Sequence, residues 1–237
     1  MMYKIETHMH TLHTSACGHL NASELVSAYI QAGFSAVAVT DHFNRATVGY
    51  LDIDLKSPDA WRPFFYGYDE MKKAAEGTGL TIILGTEVRF DSSENDYLVY
   101  GFEPDKLFAD PDGVMSGTLE QFKRRCEECG AVIIQAHPFR DGCYPSPPEH
   151  LDGVEVLNLH PRQNNNNSQA LKFAHDNKKL MTAGSDCHRK GDYCRAGILS
   201  DWLPKDTFEV ARLIKENNYL LFSRPDYTEK KKYVPIP

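Results

Sequence analysis

Two histidines one residue apart, His8-Met9-His10, close the β-rich run YKIETHMH near the start of this 237-residue chain. Side chains on a strand alternate with a period of two, so both imidazoles face one side. Other ligand-type residues end later apolar runs in the same way. Asp41-His42 follows SAVAVT, Glu87 follows LTIILGT, His137 follows AVIIQA, and Asp186-Cys187-His188 follows LMTAGS. Neutral imidazoles suit zinc, manganese and iron, while carboxylates bridge ions and supply negative charge. Gathering so many of both is costly without a compensating cation, so the ordered set predicts a multinuclear metal site.

Convergence of these residues requires strands whose C-terminal ends point at one face. The chain alternates accordingly. ASELVSAYIQ repeats Ala22, Leu25, Val26, Tyr29 and Ile30 at helical spacing, and Gly33 stops it. SAVAVTDH and LTIILGTEVRF read as mostly apolar strands; DYLVYGFE, AVIIQAHP, GVEVLNLH, LMTAGSDCH and YLLFS follow as further strands. Helices are predicted at YGYDEMKKAAEGTG, TLEQFKRRCEECG, SQALKFAHDNK and FEVARLIKENN. The segment from Phe43 to Pro63 reads as irregular, Asn164 to Asn167 as a solvated loop, and TEKKKYVPIP as a surface extension. The expected architecture is α/β and parallel, one domain over residues 1–237.

Hydrophobic content of 41% and charged content of 25% fit a globular chain able to bury a substantial core. A formal net charge of -7 and a pI of about 5.8 lack the basic footprint of duplex binding. A small phosphorylated substrate is compatible, because bound cations reverse the local potential. MMYKIETHMH carries no signal-peptide pattern, and no apolar run approaches a membrane span. The six cysteines are scattered, and Cys126-Glu127-Glu128-Cys129 lies in a helical stretch without a second such pair. A reducing cytoplasm is the expected compartment.

HMHT, VTDHF, LGTEVRF, IIQAHP and AGSDCH, in that order, resemble the PHP family, the polymerase and histidinol phosphatase domain, from about Tyr3 to Ser223. The resemblance implies a distorted seven-stranded βα barrel, TIM-barrel-like, with two or three divalent ions (zinc, manganese or iron). Matched by position, it implies His8 and His10 as ligands of one ion, joined by Asp186. Glu87 would bridge two ions, His137 would be the ligand of the HP motif, and His42 and His188 would share an ion. Two family histidines have no counterpart. One would fall between Thr14 and Cys17, with His19 the nearest candidate and His13 too close. The other would fall near the end of DYLVYGF, where Glu103 stands.

Phosphoester hydrolysis is the implied chemistry, and the expected reaction is attack of a metal-bound hydroxide on a small phosphomonoester, histidinol-phosphatase-like or nucleotide-phosphatase-like. His42 and His188 would serve the leaving group, through a third ion or as general acids. Arg140, Arg162 and Arg189 follow AHPF, LNLHP and SDCH, and are the candidate phosphate clamps, with His160 a further substrate contact. Asp41 is placed to orient an imidazole, and Cys187 should point away from its neighbours. Two other readings stand beside this one: exonuclease-type phosphodiester cleavage of short nucleotides, and a metal-binding regulatory module without activity. An amidohydrolase-like barrel would need a carboxylated lysine bridge, for which no lysine is obviously placed. The expected partner is a small phosphorylated molecule, without stable duplex nucleic acid and without a membrane.

Overall fold

The structure, a computed structural model, describes residues 2–225, so the TEKKKYVPIP tail lies outside the described residues. In chain order the elements begin with β1 (Tyr3–Glu6), α1 (Ala22–Gln31), β2 (Ala36–Val39), β3 (His42–Phe43), α2 (Arg45–Leu51) and α3 (Tyr66–Ala74). They continue with β4 (Thr81–Leu84), β5 (Thr86–Arg89), β6 (Asp96–Tyr100), α4 (Pro104–Leu107), α5 (Pro111–Met115), α6 (Leu119–Cys129) and β7 (Val132–Gln135). The last are β8 (Gly153–Asn158), α7 (Asn167–Asp176), β9 (Leu180–Gly184), β10 (Ala196–Ser200), α8 (Thr207–Glu216) and β11 (Leu220–Ser223).

Local chemistry explains the helix ends. Asn21 and Glu24 cap α1 reciprocally, as Thr118 and Gln121 cap α6. Gly130 ends α6 at φ 77°, a left-handed conformation that glycine adopts without a Cβ penalty. The Phe43–Pro63 segment is more ordered than its sequence suggests. Asn44 caps α2 through Thr47 N–H, and Phe43 stacks on Phe64 at 4.0 Å between ring centroids. Both rings are fully buried, each burial contributing about 1.5–3 kcal/mol. Seven residues that include a glycine and β-branched threonine and valine show no clear apolar stripe, which hid α2.

The strands form two sheets, a five-stranded one ordered β11-β10-β1-β2-β4 and a six-stranded one ordered β3-β5-β6-β7-β8-β9. The α/β class holds, but two open sheets stand in place of a closed seven-stranded barrel. They meet where β2 leads into β3, where β4 leads into β5 at Gly85, and where Met9 bridges Cys187. The expected all-parallel order also fails. Pairs β5–β6 and β6–β7 are antiparallel, as are β1–β10 and β10–β11. The linker between β5 and β6 is too short for a parallel crossover, which needs a dozen or more residues. One consequence reaches the site: β6 starts, rather than ends, on the face where β5 and β7 end.

Close approach of β9 to the first strand's continuation demands a glycine. A Cβ on Gly184 would meet His8 Cβ at 2.4 Å and Glu155 Oε1 at 2.7 Å. Gly184→Ala is therefore expected to lower stability by about 1–3 kcal/mol through overpacking. Thermal unfolding measures the loss; an unchanged melting temperature would mean this contact is not tight.

Candidate metal centre

His8 and His10 follow β1, and both are completely buried. His8 Nδ1 lies 2.9 Å from Glu155 Oε1, and His10 Nδ1 lies 3.3 Å from Ser15 Oγ. Ser15 is fixed in turn by Asp41, which accepts its hydroxyl at 2.7 Å together with the Thr11 N–H and hydroxyl. Asp41 thus orients an imidazole through a serine. With both Nδ1 atoms engaged, the two Nε2 atoms face each other at 3.1 Å.

Around that pair the spacing is that of a coordination shell. Donor atoms sharing one ion at about 2.0–2.2 Å sit roughly 3.0–3.6 Å apart at octahedral to tetrahedral angles. Glu87 lies 3.2 Å from His8 Nε2 and 3.3 Å from His10 Nε2. Asp186 Oδ1 lies 3.6 Å and 3.4 Å from the same atoms. The donors aim at common points rather than at each other: Glu87 Oε1 is buried without a hydrogen-bond partner, and so is His42 Nδ1, although it is 2.9 Å from Glu87 Oε2. These residues fit a cation.

His137 brings Nε2 to 3.3 Å from Glu87 and 3.8 Å from Asp96. His42, Glu87 and Asp96 form a further group whose donor atoms lie close together, as do His10, His42 and His188. His188 Nδ1 is 3.0 Å from the Asp186 carbonyl. The sequence-predicted set His8, His10, His42, Glu87, His137, Asp186 and His188 therefore converges. Two of its members carry strained backbone, His137 at φ 27° and Asp186 at φ 50°. Left-handed conformations cost a non-glycine residue about 1–2 kcal/mol, and such strain concentrates where side chains are aimed for function.

The electrostatics follow from crowding. Burial would lower His8, but the Glu155, Asp186 and Glu87 carboxylates hold it well above the usual imidazole range. Burial and the charges of His42 and His188 hold His10 well below it. Burial would raise Glu87 and Asp186, yet His8 and His42 hold the first well below the carboxylate range, and Arg140 and His8 do the same for the second.

The two gaps in the ligand set are filled differently from expectation. Glu103 is exposed, paired with Lys106 at 2.7 Å, and lies beyond the far end of antiparallel β6. Asp96, the first residue of β6 and buried, lies near Glu87 and His42 instead, with its two oxygens accepting from Arg89 at 2.7 and 2.6 Å. His19 is exposed, tied in by its backbone N–H to the His188 carbonyl at 2.8 Å. His13 accepts the Ala22 N–H at 3.2 Å instead. Cys17 lies against the rings of His188 and His42; burial pushes its thiol up, but those rings bring it down to about 6. Sequence reasoning also missed Glu155, buried in the middle of β8.

Arg140 is engaged rather than open. It donates to Asp186, to Asn165 Oδ1 at 2.8 Å and to Asn158 Oδ1 at 3.2 Å. Arg162 makes a two-pronged pair with Asp192 at 2.7 and 2.6 Å and reaches His160 Nε2 at 3.2 Å. His160 packs edge-on to His188 at 5.2 Å, and burial lowers its ring to about 4. Arg189 is exposed, and buried Cys187 packs among apolar side chains away from the donors.

A family model named the PHP domain matches residues 6–220. The chain belongs to the PHP domain family. PHP domains are metal-dependent phosphoesterases, and the donor clusters here suit that dependence. The search of curated proteins by sequence gives no match. Among solved structures, the PHP chain is similar to a two-domain protein from Bacteroides vulgatus described as containing a predicted PHP-like metal-dependent phosphoesterase (17% identity, TM-score 0.67, 94% of this chain, 65% of that one). It is also similar to PsfC from Pseudomonas syringae (15%, 0.69, 94% and 92%). A third likeness is to endonuclease Q bound to a 27-mer duplex with an abasic lesion at the active site (14%, 0.60, 91% and 57%). The PHP chain thus spans under two thirds of the first and third of these proteins.

Endonuclease Q corrects one expectation. A small phosphorylated partner without duplex nucleic acid was inferred from the net charge of -7, yet this fold holds a duplex at its active site there. Net charge is a weak guide because any cations held by the donors would set the local potential there, not the chain's sum. No helix among the described residues is long and apolar enough to cross a membrane.

The Glu155 contact yields an expected result. Glu155→Gln keeps the shape but removes the carboxylate that fixes His8, and should weaken metal binding about 10- to 100-fold. Competition with a coloured chelator measures it; unchanged affinity would remove Glu155 from the account.

Proposed function

We propose that this PHP domain, residues 1–237 acting as one unit, hydrolyses phosphodiester bonds in nucleic acid, with two to three zinc, manganese or iron ions. The observation that carries the reading is the 3.1–3.6 Å spacing among His8, His10, Glu87 and Asp186. These four would hold one ion, Glu87, Asp96 and His137 a second. When bound, such ions supply an activated water and neutralise charge developing on the phosphoryl oxygens.

The chain's own residues orient and enclose. Glu155 and Ser15 present His8 and His10 through Nε2, and Arg140 holds Asp186 in place. His42 and His188, 15% and 11% exposed, stand at the opening while the other donors lie beneath them. Exposed Arg189 gives the rim a positive charge for a flanking phosphate, whereas Arg162 is paired with Asp192. Two exposed rings support a nucleic-acid strand. Tyr50 is hydrogen-bonded to the Leu12 carbonyl at 2.8 Å, and Tyr144 contacts Asn95, next to Asp96, through its backbone. Exposed aromatics stack bases at roughly 1–3 kcal/mol each. The likeness to endonuclease Q supports the same substrate class. A reducing cytoplasm fits the six free cysteines.

The test is a panel: bis-p-nitrophenyl phosphate, end-labelled single-stranded and abasic duplex oligonucleotides, and p-nitrophenyl phosphate, each with manganese, zinc or iron. Cleavage of the diester and of an oligonucleotide is expected. Turnover of the monoester alone, or metal binding without any turnover, would overturn the reading.

A further inference from the structure

We propose that Asn158 is a positioning residue of the metal centre, held in place by Asn165 and Asn167 of the asparagine run. The inference rests on the metal-centre reading above and adds what orients two of its carboxylates.

Asn158 ends β8 and is buried. In a regular strand it would face away from Glu155, three residues earlier. The register irregularity between Glu155 and Leu157 adds one residue to β8 relative to β9, which brings both side chains to one side. The Asn158 amide then serves two carboxylates at once. Its Nδ2 donates to Glu155 Oε2 at 2.8 Å and to Asp186 Oδ2 at 3.2 Å. Arg140 donates to the same Asp186 oxygen. Asp186 Oδ1 is thereby left to face the Nε2 atoms of His8 and His10 at 3.6 and 3.4 Å, and Glu155 Oε1 to face His8 Nδ1 at 2.9 Å. Asn158 Oδ1 meets the opposite need, accepting from Asn165 Nδ2 at 2.8 Å, the His160 N–H at 3.0 Å and Arg140 at 3.2 Å. Only a side chain with both a double donor and an acceptor satisfies all of these.

The asparagine run, expected as a solvated loop, is the clamp on this amide. Asn164 is exposed, but Asn165 and Asn167 are buried. Asn165 Nδ2 also donates to the Asn158 carbonyl at 3.0 Å, and its Oδ1 accepts from Arg140 Nε at 2.8 Å. Asn167 pairs with Asn158 as a neighbouring strand would. Its Oδ1 accepts the Asn158 N–H and its Nδ2 donates to the Asn158 carbonyl, both at 3.0 Å. Between them Asn166 turns the chain at φ 47°, a left-handed conformation that asparagine tolerates, and donates to the Phe139 carbonyl at 2.8 Å, next to Arg140. A buried polar network satisfied on every side fixes one arrangement of its members.

Cobalt(II) binding to the metal-stripped protein, followed by visible absorption, tests the proposal without using activity. Asn158→Leu keeps the volume and removes the amide. It should bind cobalt about 10- to 100-fold more weakly than wild type. At saturating cobalt its visible bands should also shift, because Asp186 no longer presents one fixed oxygen to the ion. Leu213→Ala, buried on α8 outside this network, controls for lost stability and should leave the bands in place. Asn165→Ala, which spares the amide itself, should weaken binding in the same direction. Wild-type affinity and bands in Asn158→Leu overturn the proposal; if that variant does not fold, the same result in Asn165→Ala does so. An equal band shift in Leu213→Ala would reduce Asn158 to a general stabiliser and overturn its positioning role. Absence of cobalt binding by wild type overturns the metal centre itself.

Discussion

Glu87→Gln will remove turnover and strip the centre of its most shared ligand. The Glu87 carboxylate stands within 3.3 Å of His8, His10, His42 and His137, a position no other residue occupies among the described donors. Glutamine preserves volume and one oxygen but lacks the negative charge that cations held there would need. Loss of about 3–5 kcal/mol of transition-state stabilisation corresponds to a fall of roughly 10²- to 10⁴-fold in kcat/KM. Metal content by elemental analysis should fall in parallel. Full activity with a full metal complement would show that Glu87 bridges nothing.

Asp186→Ala should do harm twice. It removes a donor near His8 and His10, and it leaves the Arg140 guanidinium, 15% exposed, without its carboxylate. Breaking a buried pair from one side costs about 3–5 kcal/mol, because the remaining charge stays out of water. The variant should therefore lose metal and activity, and also unfold at lower denaturant concentration even when wild type has been stripped of metal. That last comparison separates the orphaned arginine from the lost ion. His175→Ala, on an exposed face of α7, should change neither property. Equal stability of Asp186→Ala and wild type in the stripped state would mean that Arg140 finds another partner.

Much of the centre was legible because strand periodicity and strand ends are local properties. His8 and His10 share a side by alternation, and Glu87, His137 and Asp186 each end an apolar run. The missed residues depend on features that are not local. Asp96 reaches the site because β6 runs backwards, which the sequence shows only through the short link after Arg89. Glu155 sits in the middle of β8, beside a register irregularity between Glu155 and Leu157, and reads from sequence as an ordinary strand residue. The arginines were read as open clamps, but whether a guanidinium is free depends on distant partners such as Asp192. Strand β10 escaped notice in AGILS, five residues without a motif, and with it the antiparallel edge of the first sheet.

The central claim is that His8, His10, Glu87 and Asp186 hold one cation among them. Crystals of the protein soaked with manganese, and diffraction recorded at its absorption edge, address it most directly. The account predicts an anomalous peak about 2.0–2.3 Å from both Nε2 atoms and from oxygens of both carboxylates. A well-ordered site with no peak there, and the two imidazoles joined by a proton alone, would contradict it.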